Sequence, residues 1–267
     1  MEKISKQLEG LEKAYEELAE SSKFDDSDVY NCLKCKDCGW IIEGDIATKC
    51  SCQKEKEADV KSLGIPRLRN MVFSKFDKKL YPVHLKTPTS GRTYRQAAEE
   101  ARLEAYEFTT SIARGINRPG LIFEGEVGSG KTFLAAAIAN ELLKKGIDVE
   151  FVVVPELLDN LRQNFSRESN NNSSIIERTQ TAQVLVLDDL GAHNYSDWVQ
   201  NTLFNIVNYR LNHQLPIIVT TNLNITDLRT EIGDRIASRL FESGKIVRLY
   251  IEEDIRFKLA EEGHNKW

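Results

Sequence analysis

The sequence predicts an α/β domain built on a central parallel sheet with helices on both faces. Short apolar runs, LIFE at 121–124, VEFVVV at 149–154, VLVLDD at 184–189 and IIVTT at 217–221, alternate with helical patterns. Runs this apolar belong to strands covered on both sides, and intervening helices make right-handed parallel crossovers. Between the first run and the first helix lies GEVGSGKT at 125–132, the context in which a Gly-rich turn cradles phosphate.

Composition sets the bounds. At about 150 residues per domain, 267 residues allow one large domain or a medium one with a small companion. Hydrophobic residues make up 41% and charged residues 29%, enough apolar material for a sizeable core. No stretch approaches the ~20 apolar residues of a membrane span, and MEKISKQLEGLEK lacks the apolar run of a signal peptide, so a cytoplasmic location with no membrane partner is expected. A net charge of −5 excludes a chain-wide basic surface for nucleic acid, though not a local one. Residues 1–64 hold 10 Lys+Arg against 15 Asp+Glu and all five cysteines, which marks an acidic N-terminal module ahead of a neutral main domain.

Taken in order, Ile4, Leu8, Leu11, Tyr15 and Leu18 repeat at four and three, a helical seam that serves either its own domain or a partner protein. Gly10 costs that helix about 1 kcal/mol, against a long rigid coiled coil. Residues 21–31 read as a linker, 54–62 as a charged helix, and Gly64-Ile65-Pro66 as a boundary. Residues 70–92 are irregular, broken by Pro82, Pro88 and Gly91, and 95–114 reads as a helix. Further helices are expected at about 131–145, from 155, and at about 196–212. The polar SRESNNNSS at 166–174 is expected to be a surface loop. Arg162, Phe165 and Arg167 beside it read either as a solvated helix end or as a surface tracking single-stranded DNA.

The chemistry concentrates at three strand ends. Gly125, Gly128 and Gly130 permit a tight turn, so that amides from Glu126, Val127 and Ser129 through Thr132, with Phe133 following, can face one phosphate chain at a helix N-terminus. Lys131 can reach the β- and γ-phosphates of ATP, and the Thr132 hydroxyl can ligate Mg²⁺. Asp188 stands where a second Mg²⁺-side group belongs, and Asp189 where a carboxylate could polarise the attacking water. Asn222, with Thr221 as runner-up, could orient that water or sense the γ-phosphate. Arg235 and Arg239, four apart in GDRIASRLFE, share a helix face and are either solvated or the source of an arginine finger for a neighbouring subunit. Cys32-x-x-Cys35 and Cys50-x-Cys52 can close a tetrahedral structural Zn²⁺ site, with Cys35-x-x-Cys38 as the competing first clip.

In succession, GEVGSGKT, VLVLDDLG, VTTNL and DRIASRL resemble the AAA+ ATPases of the DnaC/DnaI helicase-loader family, with the transposition ATPase IstB close by. GIPRLRNMVFSKFD at 64–77 resembles that family's approach to its ATPase core, and CLKCKDCGW…KCSCQ resembles the zinc module many bacterial members carry. The resemblance covers about residues 30–256. It implies an AAA+ domain over 95–267 with a short C-terminal lid, a lead-in over 65–94, and a helicase-binding zinc module over 1–64. It makes Asp188 and Asp189 the acids of the second nucleotide motif, Asn222 the first sensor, Arg239 the finger assisted by Arg235, and Arg256 of EEDIRFK a second sensor. Cys38 falls where the family has residues such as Thr, which leaves Cys32, Cys35, Cys50 and Cys52 as the implied zinc ligands. Most AAA+ enzymes carry Glu at position 189, and the shorter Asp implies slow, switch-like hydrolysis. The implied activity is ATP-dependent loading of a hexameric DnaB-type helicase onto single-stranded DNA, with self-association through the ATP sites. The alternatives are an IstB-like transposition ATPase on duplex DNA, against which the cysteine module argues, and a small-molecule P-loop kinase, against which the missing substrate lid and DRIASRL argue. No LSGGQ-like stretch supports an ABC-type ATPase.

Overall fold

The computed structural model describes residues 34–35, 40–43, 46–50, 65–165, 171–192 and 195–261. The chain divides into two compact units, Met1–Lys54 and Glu55–Trp267.

In the first unit, β1 (Trp40–Glu43) and β2 (Ile46–Lys49) pair antiparallel, Trp40 opposite Lys49 and Glu43 opposite Ile46. Cys35 precedes this hairpin and Cys50 follows it, and both are buried. The expected N-terminal helix, the 21–31 linker, the 54–62 helix, Cys32, Cys38 and Cys52 lie outside the described residues.

The second unit opens with three 3-10 turns, Pro66–Asn70, Phe73–Lys75 and Lys78–Leu80, followed by α1 (Tyr94–Ala113). Thr93 starts α1 with a reciprocal cap: its hydroxyl accepts from the Gln96 amide at 3.2 Å while the Gln96 side chain accepts from the Thr93 amide at 2.9 Å. Then come β3 (Gly120–Gly125), α2 (Lys131–Lys144), β4 (Val149–Val153), α3 (Val154–Phe165), α4 (Asn171–Thr181), β5 (Val184–Asp188) and α5 (Asp197–Asn212). The chain continues through β6 (Ile217–Thr221), α6 (Ile225–Ile232), α7 (Asp234–Ser243), β7 (Gly244–Leu249) and α8 (Ile255–Glu261). Strands β3 to β7 form one parallel sheet in the order β4-β5-β6-β3-β7.

Alternation along the strands divides the interior into two cores. Leu121, Phe123, Val184, Val186 and Ile218 join α1 and α2 on one face, with Leu68, Met71 and Tyr81 of the lead-in segment. Ile122, Leu185, Leu187, Ile217 and Val219 join α3, α5, α6 and α7 on the other. The lead-in is bound to α2 by Asn140, whose buried amide donates to the carbonyls of Leu68 at 2.7 Å and Met71 at 2.8 Å. At the opposite end of the sheet from the phosphate turn, the fully buried Arg210 donates from Nη1 to the carbonyls of Thr179, Gln180 and Ala182 and from Nη2 to those of Gln183 and Pro216. It joins the end of α4 to the starts of β5 and β6.

Several elements depart from the sequence reading, which named neither the β1–β2 hairpin nor α6. Residues 171–174, expected in a surface loop, form the first turn of α4, and Ile175 and Ile176 pack against the second core. Strand β7 carried no clear sequence signal, because it is a sheet edge whose mixed GKIVRL is only half buried.

Candidate functional site

The site is built where β3, β5 and β6 end. Strand β6 lies between the other two, so residues 220–222 stand between the phosphate turn that follows β3 and the acids that end β5.

The turn is held from two sides. Gly128 has φ +78°, and a Cβ there would stand 1.9 Å from Asp254 Oδ1. Gly130 has φ +91°, and a Cβ there would stand 2.7 Å from the Tyr81 hydroxyl. Both positions therefore need glycine for conformation and for space. The buried Tyr81 donates to the Ser129 carbonyl at 2.7 Å and stacks on Phe76. Phe133 turns its ring into the core beside Phe76, leaving its backbone at the start of α2. Lys131 folds back over the turn, donating to the carbonyls of Gly125 at 2.8 Å and Glu126 at 2.7 Å. Burial pushes its ammonium down to about 8, partly opposed by the nearby charges of Asp189 and Asp188.

The acids meet α2 through one oxygen. Asp188 is buried, and its Oδ1 accepts from the Thr132 hydroxyl at 2.8 Å and the Thr220 hydroxyl at 2.7 Å. Burial raises its pKa, while these two hydrogen bonds oppose the rise; Asp189 adds to it and Arg67 of the lead-in segment lowers it. Asp189 takes a left-handed backbone, φ +61°, with its amide donating to Thr220 Oγ1 at 2.9 Å. The Asn222 amide donates to Asp189 Oδ1 at 3.0 Å, whereas Thr221 is spent on the Leu223 amide. Thus Asn222, rather than Thr221, meets the acid.

Helix α8 begins against the turn. The Ile255 amide donates to the Gly128 carbonyl at 3.4 Å, and Asp254 caps the helix by accepting from the Arg256 amide at 2.8 Å. Arg256 is exposed, its Nε 3.7 Å from Asp254 Oδ1, and its charge reaches Lys131. The two arginines of α7 turn elsewhere: Arg239 pairs with Glu242 on its own helix at 3.2 Å, and Arg235 lies over the Phe204 ring at 4.3 Å. Among the described residues, neither bonds to the phosphate turn. Lys131, Thr132, Asp188, Asp189 and Asn222 are thus brought together, with Arg256 at their margin.

Sequence reasoning missed Tyr81, Thr220 and Asp254. Thr220 left a faint signal as a hydroxyl following the apolar IIV, shared with its neighbour Thr221, and Asp254 as a cap residue before IRFKLAE. Tyr81, in an irregular stretch, left none. Of the expected zinc ligands, only Cys35 and Cys50 are described, and no group of three or more metal-binding side chains occurs among the described residues. No helix among them is long and apolar enough to cross a membrane.

Comparison with known proteins matches residues 96–246 to the family described as IstB-like ATP binding protein. The replicative helicase loader DnaI of Bacillus subtilis (strain 168) is 30% identical over 146 residues, 52% of this chain and 46% of its own. The replicative helicase loader DnaC of Escherichia coli (strain K12) is 28% identical over 144 residues, 54% of this chain and 56% of its own. The chain spans about half the length of these curated relatives. A crystal structure of DnaI shares 26% identity and a TM-score of 0.53, covering 69% of this chain and 91% of its own.

Proposed function

Given that the chain belongs to the IstB-like ATP binding protein family, we propose that it is an AAA+ ATPase that loads a hexameric DnaB-type replicative helicase onto single-stranded DNA. The observation that carries the ATPase part is the 2.8 Å bond from Thr132 to Asp188, which unites the phosphate turn with the acid of a separate strand. The loader part is supported by the likeness to DnaI and DnaC.

ATP would lie along the turn, its phosphates taking the exposed amides and drawing Lys131 from the carbonyls of Gly125 and Glu126. Thr132 and Asp188 fit Mg²⁺, being a hydroxyl and a carboxylate on one face, and bound Mg²⁺ would neutralise phosphate charge. Asp189, steadied by Asn222, would hold a water by accepting its proton's hydrogen bond. Arg256 would reach the phosphates from α8. Arg239 would serve the ATP site of a neighbouring copy, its half-exposed side chain on α7 leaving Glu242 for the phosphates between subunits, with Arg235 assisting. Hydrolysis would release the loader in the cytoplasm once the helicase encircles DNA.

Cys32, Cys35, Cys50 and Cys52 would hold one structural Zn²⁺, and the two described ligands fit: buried thiols flanking a two-stranded hairpin are a donor set for zinc. With residues 1–64 it would grip the helicase. Metal analysis of the purified chain tests the zinc.

The test of the whole is the full chain with ATP, a DnaB-type hexamer and circular single-stranded DNA. Transfer of helicase to the circle, abolished by Lys131→Ala, supports loading. Filaments on duplex DNA without helicase binding would favour transposition, the reading that the family's description keeps open.

A further inference from the structure

We propose that Thr220 is a positioning residue for hydrolysis: its hydroxyl holds both acids at the end of β5, orienting the Asp188 carboxylate and fixing the Asp189 backbone. This rests on the ATPase reading above.

Pairing and parity bring these groups together. Strands β5 and β6 run in register, Val186 opposite Ile218 and Leu187 opposite Val219, and the next step sets Asp188 beside Thr220. Val184, Val186 and Ile218 lie in the core shared with α2. Side chains alternate, so Asp188 and Thr220 fall on that same face, where α2 carries Thr132.

A threonine hydroxyl has one hydrogen and can both donate and accept. Here the hydrogen goes to Asp188 Oδ1 at 2.7 Å, and the oxygen accepts the Asp189 amide at 2.9 Å. The Leu190 amide also donates to the Thr220 carbonyl, at 2.9 Å. Three consecutive residues are therefore bound to one residue of the neighbouring strand. Asp189 most needs such a hold, because a left-handed backbone at φ +61° is unfavourable for a residue with a Cβ.

The arrangement also has redundancy with a purpose. Two hydroxyls converge on Asp188 Oδ1, those of Thr132 and Thr220. Thr132 is the one a metal would claim, and Thr220 then remains to keep the carboxylate oriented. Because Thr220 is buried, 1% exposed, water cannot take over its two bonds.

Thr220→Val removes the hydroxyl at nearly constant volume, and Thr220→Ser retains it. Thr220→Val should lower kcat for ATP about tenfold or more with KM changed less than about threefold, the pattern of a lost hydrogen bond that acts beyond substrate binding. Thr220→Ser should restore most of the rate. Binding of a fluorescent ATP analogue without Mg²⁺ should be the same in all three proteins, whereas the Mg²⁺ needed to strengthen it should rise in Thr220→Val. Hydrogen exchange should find the Asp189 amide protected in the parent and in Thr220→Ser, and fast in Thr220→Val. Parental kcat in Thr220→Val, equal damage in Thr220→Ser, or an unprotected Asp189 amide in the parent would each overturn the proposal. If Thr220→Val does not fold, the serine variant and the parental amide still decide. A parent that hydrolyses no ATP, or a Lys131→Ala variant as active as the parent, overturns the ATPase reading instead, and exchange at Asp189 then reports on the hydroxyl's hold by itself.

Discussion

Tyr81 reaches across 48 residues of sequence to donate to the carbonyl of Ser129 at 2.7 Å, tying the lead-in segment to the phosphate turn from within the core. Both partners are buried, so no water replaces a lost bond. Tyr81→Phe should cost about 1–1.5 kcal/mol in stability, read as denaturant midpoint, and loosen the turn enough to weaken nucleotide binding severalfold. Gly130→Ala should be worse on both counts, because its Cβ meets the same hydroxyl at 2.7 Å with φ at +91°.

Lys131 makes nucleotide binding sensitive to pH. With its pKa at about 8 rather than 10.5, the side chain is largely neutral above that point, and a phosphate chain demands the charged form. Binding then takes up a proton, so affinity should fall by up to ~tenfold per pH unit above about pH 8. Fluorescence titrations from neutral to alkaline pH measure this, and Lys131→Arg should flatten the slope. The chain's own stability moves the other way. Between about 8 and 10.5 the unfolded lysine binds a proton that the folded one has lost, so this residue's contribution rises with pH.

Asp189 separates strain from chemistry. Asn tolerates the left-handed backbone, so Asp189→Asn should keep the fold and bind ATP while losing about a hundredfold in hydrolysis. Asp189→Gly should hydrolyse equally poorly yet melt higher, by about 0.5–1 kcal/mol of relieved strain. If Asp189→Asn hydrolyses ATP at the parental rate, Asp189 does not polarise the water.

The phosphate turn and the acid pair were legible because their chemistry needs fixed residues in a fixed context: GEVGSGKT stands out by itself, and Asp188-Asp189 by ending the apolar run VLVL, unlike Asp25-Asp26. Strands β3, β5 and β6 were legible for a different reason, since burial on both faces leaves apolar runs, and the edge strand β4 was legible because VEFVVV is broken only at Glu150. Strand β7 is an edge like β4, but Lys245 and Arg248 interrupt its short apolar stretch, so GKIVRL looks like a helix end or a loop. Tyr81, Thr220 and Asp254 were illegible because each acts through a contact distant in sequence, on an ordinary residue type. Thr221 and Asn222, adjacent and both polar, could be separated only by which one turns toward Asp189.

Among the described residues Arg210 is the largest fully buried side chain, and it is held by five carbonyls. Burial pushes it down to about 10, so it remains charged at neutral pH. Arg210→Met should destabilise the chain by about 3 kcal/mol by stranding those carbonyls. Arg210→Lys should recover little, because one ammonium cannot span the end of α4 and the starts of two strands. Thermal melting resolves both.

The finger assignment is tested by mixing. Lys131→Ala and Arg239→Ala chains should each be nearly inactive alone, since a finger is worth about 10³–10⁵ in rate. Combined with single-stranded DNA or helicase, they should regain activity, because one supplies a sound turn and the other the arginine. A mixture that assembles yet stays inactive removes Arg239 from that role.

The division of the interior into two cores gives each strand a reading frame of two. In β5, Val184 and Val186 face one core and Leu185 and Leu187 the other, and Asp188 inherits its direction from that count. One residue inserted before Leu187 would leave the strand as apolar as before, yet turn the carboxylate away from Thr132 and Thr220 into a layer of leucine and isoleucine. A two-residue insertion would restore the direction but carry the acid one pair too far along the sheet. The connections that enter the strands, not the strand interiors or the ends that carry the site, are therefore where this chain can change length through evolution or design, and the sheet acts as the ruler from which its chemistry is measured.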